Sequence, residues 1–111
     1  MFREVEVEGF KCYVLDYEAR KRELERLGVS VKYTDMNSER ELDGGELTDS
    51  RIEFVKSCIS KIKDQLKEQR IKYVVLMTLA EAAEYKPKRA ISVSVNEVLA
   101  FYCRKPKFLQ Q

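Results

Sequence analysis

Glu4, Val5, Glu6, Val7 and Glu8 alternate between polar and apolar, the two-residue period of a strand with one face in water. Gly9 interrupts the run and Phe10–Asp16 (FKCYVLD) resumes it with aromatic and β-branched residues, so a hairpin turning at Glu8-Gly9 is expected. From Tyr17 to Leu27 the period lengthens. Ala19, Leu24 and Leu27 stand among arginines, lysine and glutamates as in a short helix, and Gly28 follows where helices commonly stop. Val29–Thr34 (VSVKYT) alternates again and reads as a strand, giving a strand–helix–strand unit. The polar stretch Asp35–Leu47 (DMNSERELDGGEL) reads as a long loop, with an edge hairpin as its alternative.

Thr48 or Asp49 is the expected cap of the clearest element in the chain. There Ile52, Val55, Ile59, Ile62 and Leu66 recur at spacings of three and four, with Lys56, Lys61, Lys63, Asp64 and Lys67 on the other face. This stripe suits a helix packed on a core. The alternative is a homodimer seam, although the stripe is shorter than coiled coils usually need. Ile71–Met77 (IKYVVLM) is nearly all apolar and fits a central strand. Thr78-x-x-Glu81 offers a capping box for a short helix (TLAEAAEY) ending at Lys86-Pro87. Ala90–Val95 alternates like a last strand, and Asn96 is placed to cap a final helix over Glu97–Arg104, before Pro106.

The resulting order, ββαβ–loop–αβαβα, predicts one α/β domain over residues 1–111: a mixed or mostly parallel sheet with an N-terminal β-hairpin and helices packed on it. A second arrangement competes at the C-terminal end. Thr78–Tyr85 followed by Ser92–Tyr102 loosely resembles the two helices of a helix-turn-helix, through the Thr-x-x-Glu start, the paired alanines and the Ser-Val-Ser. That resemblance implies an α+β fold in which Ser92, Ser94 and Asn96 face a DNA groove. The strict alternation of Ala90–Val95 favours the strand.

Composition adds three constraints. Of 111 residues 36% are charged, against roughly 25% in ordinary globular domains, a Glu- and Lys-rich profile similar to that of heat-adapted proteins. No apolar run approaches the roughly 20 residues that span a bilayer and the N-terminus is acidic, so a soluble, cytoplasmic protein without membrane partners is expected. Histidine is absent, which removes Ser-His-Asp and Cys-His nucleophilic sites and every His-containing zinc site. Cys12, Cys58 and Cys103 are far apart among apolar neighbours and read as small core residues. No cofactor motif is present and no small-molecule substrate is predicted.

The net charge of +2 conceals a polarity. Residues 1–50 carry eight Lys/Arg against thirteen Asp/Glu, whereas residues 69–111 carry eight against three. In that basic third two clusters surround prolines: Lys86, Lys88 and Arg89 in KPKR, and Arg104, Lys105 and Lys107 in RKPK. Such clusters bind phosphates by charge and counterion release, and Tyr85, Tyr102 and Phe108 lie close enough in sequence to stack on unpaired bases. The leading expectation is therefore a non-catalytic DNA- or RNA-binding protein. Its first alternative is a protein-interaction or homodimerisation module using Ile52, Val55, Ile59, Ile62 and Leu66. A third reading starts from Asp16, Glu18 and Asp35 at expected strand ends, where carboxylates hold Mg²⁺ in nucleases. Val14-Leu15-Asp16-Tyr17-Glu18 resembles the hydrophobic-hydrophobic-Asp-x-Glu start of proofreading-type exonucleases, and the resemblance implies metal-dependent cleavage.

Overall fold

The computed structural model describes residues 1–35 and 37–110. Five strands form one mixed sheet: β1 (Phe2–Val7), β2 (Phe10–Leu15), β5 (Tyr73–Thr78), β6 (Ala90–Ser94) and β7 (Glu97–Tyr102), laid side by side as β1-β2-β5-β7-β6. The β1–β2 hairpin turns at Glu8 (φ 50°) and Gly9 (φ 89°), the pair of positive φ values that a tight two-residue turn matching the strand twist requires. Only β2 and β5 run parallel, and the connection between them carries two helices, α1 (Tyr17–Arg26) and α2 (Gly44–Glu68). The remaining pairs are antiparallel, so the sheet is mixed with one parallel pair at its centre.

The 25-residue α2 lies across one face. Val55, Ile59 and Leu66 pack with Cys12, Val14, Val74, Leu76 and Leu99 from the sheet, and all are buried. On the opposite face Tyr13, Val75, Met77, Val98 and Ala100 form a smaller cluster. It is covered by α3 (Leu79–Tyr85), through Ala82, and by Phe108 and Leu109 from a 3-10 turn over Lys107–Leu109.

Several expectations change at the level of elements. The strand expected over Val29–Thr34 contracts to β3 (Tyr33–Thr34), which pairs only with β4 (Glu41–Leu42) and stands apart from the main sheet. The stretch Asp35–Leu47 thus contributes a hairpin and the start of α2; Met36 lies outside the described residues. The cap of α2 is Asp43, whose carboxylate accepts from the Gly45 amide, and not Thr48 or Asp49. Thr48 is instead fully buried: its hydroxyl donates to the Gly44 carbonyl (2.9 Å) and accepts from the Tyr17 amide (3.0 Å), fastening the start of α1 to α2.

The expected last helix is a strand. Glu97–Tyr102 pairs with β5 along its whole length and with β6 on its other side. Ala90–Tyr102 is accordingly a hairpin turning at Val95-Asn96, which excludes the helix-turn-helix alternative although the capped helix α3 is present. A central strand buried on both faces loses its alternation, and the apolar run Val98–Phe101 then carries no period to separate it from a helix.

Candidate nucleic-acid interface

Hairpin geometry decides where the basic residues meet. The first cluster immediately precedes β6 and the second immediately follows β7, so antiparallel pairing brings both to the open end of one hairpin. The Phe101 amide donates to the Arg89 carbonyl at 2.8 Å, holding the two segments together beyond the ladder. A cleft of about 740 Å³ opens there, and all six cations (Lys86, Lys88, Arg89, Arg104, Lys105 and Lys107) line it, together with Tyr85, Tyr102 and Phe108.

Local conformation presents these side chains outward. Lys86 closes α3 in the left-handed region (φ 49°), where its amide still donates to the Ala82 carbonyl, and Pro87 keeps the helix from continuing. Pro106 likewise precedes the 3-10 turn that seats Phe108 on the sheet. All six cations are solvent-exposed. The aromatic wall is ordered by Phe108, which stacks on Tyr85 at 4.5 Å between centroids and meets Tyr102 edge-on at 6.2 Å. Tyr85, 40% exposed, is the outermost ring. The Lys105 ammonium leans to 5.7 Å from the Tyr13 ring, a cation–π contact.

Among the described residues nine ion pairs form, and none uses a cation of either cluster. Arg3, Arg22, Arg26, Lys32, Arg40, Arg51, Lys56 and Lys63 take carboxylate partners instead, the pair between Arg51 and Glu97 being the least exposed. Arg70 and Lys72 belong to the same end of the sheet, since the Lys72 amide donates to the Tyr102 carbonyl at 3.1 Å.

The other candidate residues are placed differently. Asp16 caps α1 by accepting from the Ala19 amide (3.1 Å) and pairs with Arg3 at 3.5 Å. Glu18 lies in the first turn of α1 and pairs with Arg22 at 4.0 Å. Asp35 folds its own turn, accepting from the Asn37 amide and the Ser38 hydroxyl, and these hydrogen bonds hold its pKa below the usual value. Each carboxylate is engaged locally, and among the described residues no three potential ligands gather as a metal group. The stripe proposed as a dimer seam is spent inside the molecule: Val55, Ile59 and Leu66 are buried under the sheet, and Ile52 and Ile62 pack against the same core. Of the cysteines, Cys12 is in the core, where burial raises its thiol pKa to about 12, Cys58 is half-buried, and Cys103 is exposed at the cleft, contrary to the core position expected for it.

Beyond the residues expected from sequence, a second, smaller cavity of about 270 Å³ adjoins the cleft on the α2 face, sharing Lys88, Arg89 and Phe101 with it. Gln65, in the last turn of α2, and Gln69, its C-cap, line it. Their sequence signal, two amides at i, i+4 in an otherwise charged helix face, has meaning only once β6 is known to lie beside that turn. No helix among the described residues is long and apolar enough to cross a membrane. Compared with protein-family models, with curated proteins and with solved structures, the chain finds no match in any of the three.

Proposed function

We propose that the chain binds single-stranded nucleic acid, DNA or RNA, in the cleft at the open end of the β6–β7 hairpin, and that it does so without catalysis. One observation carries this reading: six cations from two separate segments line one cleft with three aromatic rings, while the ion pairs among the described residues engage other cations. Each exposed Lys or Arg at a phosphate releases condensed counterions, and aromatic rings stack on any base, so the two residue types together suit an unpaired strand better than a duplex. A duplex would offer its phosphates but keep its base faces from Tyr85.

Fluorescence anisotropy with labelled DNA and RNA strands tests the proposal. If all six cations meet phosphates, log K against log salt has a slope of about −4. Reversing Lys88, Arg89 and Lys105 to Glu is expected to weaken binding at least tenfold, that is by about 1.4 kcal/mol or more, with the unfolding midpoint unchanged. Absence of binding at about 50 mM salt overturns the reading.

A further inference from the structure

The smaller cavity beside the cleft has the make-up of a base pocket. Its walls are Phe101 and Ile91 from the sheet and the last turn of α2; its polar groups are the amides of Gln65 and Gln69; and Lys88 and Arg89 stand at the mouth it shares with the cleft. The pocket lies where α2, which packs over the β1–β2 side of the sheet, leaves the opposite edge strand β6 less covered. Ile91 is paired with Leu99 and faces the α2 side, yet it remains 42% exposed. The lining is mixed, apolar from Ile62, Leu66, Ile91 and Phe101 and polar from the two amides and the cations, which suits a small planar ligand with a polar edge. Both glutamines are solvent-exposed, and among the described residues neither side chain hydrogen-bonds within the protein, so each amide can exchange water for a ligand.

Because Lys88, Arg89 and Phe101 border both spaces, a strand lying in the cleft passes them at the hairpin end, and one base can turn onto the α2 face while its phosphate stays with the cations. We infer that this pocket takes one unstacked nucleobase of the bound strand and that Gln65 and Gln69 select adenine. A carboxamide presents an acceptor beside a donor. An unpaired base of any kind offers one edge to such a pair, but adenine alone carries an amino group flanked by two ring acceptors, N1 and N7, so that two carboxamides together can hold it. The inference rests on the nucleic-acid reading of the cleft and adds to it a choice of base.

Binding of labelled octamers separates the two. The probes are an all-uridine RNA and the same RNA with one internal adenosine, cytidine or guanosine. The adenosine probe is expected to bind about fivefold or more tightly than all-uridine. The double variant Gln65→Ala, Gln69→Ala is expected to bring these two probes level with the salt slope unchanged, which a general loss of folding or charge would not do. Equal affinity of the wild type for all four probes, a preference for another base, or an adenosine preference that survives the double variant overturns the inference and leaves the cleft reading standing. Failure to bind any octamer, whether of RNA or of the matching DNA, overturns the cleft reading, and the base pocket with it.

Discussion

Gly44 and Gly45 are neighbours in the first turn of α2, but their surroundings differ. A Cβ on Gly44 would lie 2.8 Å from the Cα of Glu18 and 2.9 Å from its backbone nitrogen, so this glycine is what lets α1 rest directly on α2. Neither atom is the end of a flexible side chain. Gly44→Ala is therefore expected to destabilise by about 1–3 kcal/mol, as overpacking typically does. At Gly45 the nearest atom is the Glu18 carboxylate oxygen, 3.3 Å away on an exposed side chain that can move. There helix propensity dominates, and Gly45→Ala is expected to be neutral or to stabilise by up to about 1 kcal/mol. Urea denaturation of the two variants checks the opposite signs. Residue environments also set the alkaline limit. Burial raises the Cys12 thiol from 9.0 to about 12, and burial is also the leading cause that lifts Tyr13, Tyr17, Tyr33 and Tyr102 above 10.0. With folded values above unfolded ones, the unfolded chain loses these protons first. Their contribution is complete below about pH 9 and is lost as pH rises through the folded values. Unfolding midpoints measured across alkaline pH should hold steady to about pH 9 and then fall.

Elements show how far periodicity reaches. The stripe of α2 was readable because a helix on a sheet buries one side only, and the structure adds that the buried partner is the sheet of the same molecule. Ile59, with 0% exposure, is accordingly a core residue: Ile59→Ala is expected to cost about 2–5 kcal/mol in denaturant unfolding and to leave the mass measured by light scattering unchanged. A drop from dimer to monomer mass would contradict this. The same logic explains where periodicity failed. β7 is covered by α2 on one face and by α3 with the C-terminal turn on the other, so its four central residues are all buried and no alternation survives. Asn96, read as a helix cap, turns a hairpin instead. The strand β3 shrank for the converse reason, since a segment outside the main sheet has too few partners to hold six residues extended.

At the scale of the molecule, part of the sorting of charge along the chain becomes a sorting in space, although Glu8 in the β1–β2 turn stays at the Lys72 end. β2 and β5 run parallel, so Asp16 and the acidic segments that follow β2 leave one end of the sheet, while Lys72, the two proline-flanked clusters and the cleft occupy the other. Cys103 sits in that cleft as an exposed thiol, and a bound strand should cover it. Alkylation followed by mass spectrometry is expected to slow at Cys103 when single-stranded RNA or DNA is added at low salt, with Cys58 unaffected; unchanged labelling of Cys103 would count against binding there. The hairpin β1–β2, the amphipathic α2, the capped α3 and the two basic clusters were all present in the sequence, because each depends on residues close together in the chain. The convergence of those clusters was not, and neither was the pocket of Gln65 and Gln69. Segments far apart in sequence meet through strand order and pairing direction, and these follow from which apolar faces bury one another in three dimensions. Reading Glu97–Arg104 as a helix left the two clusters unrelated; pairing Glu97–Tyr102 with β6 as a strand brings them together, and that single difference produces the cleft.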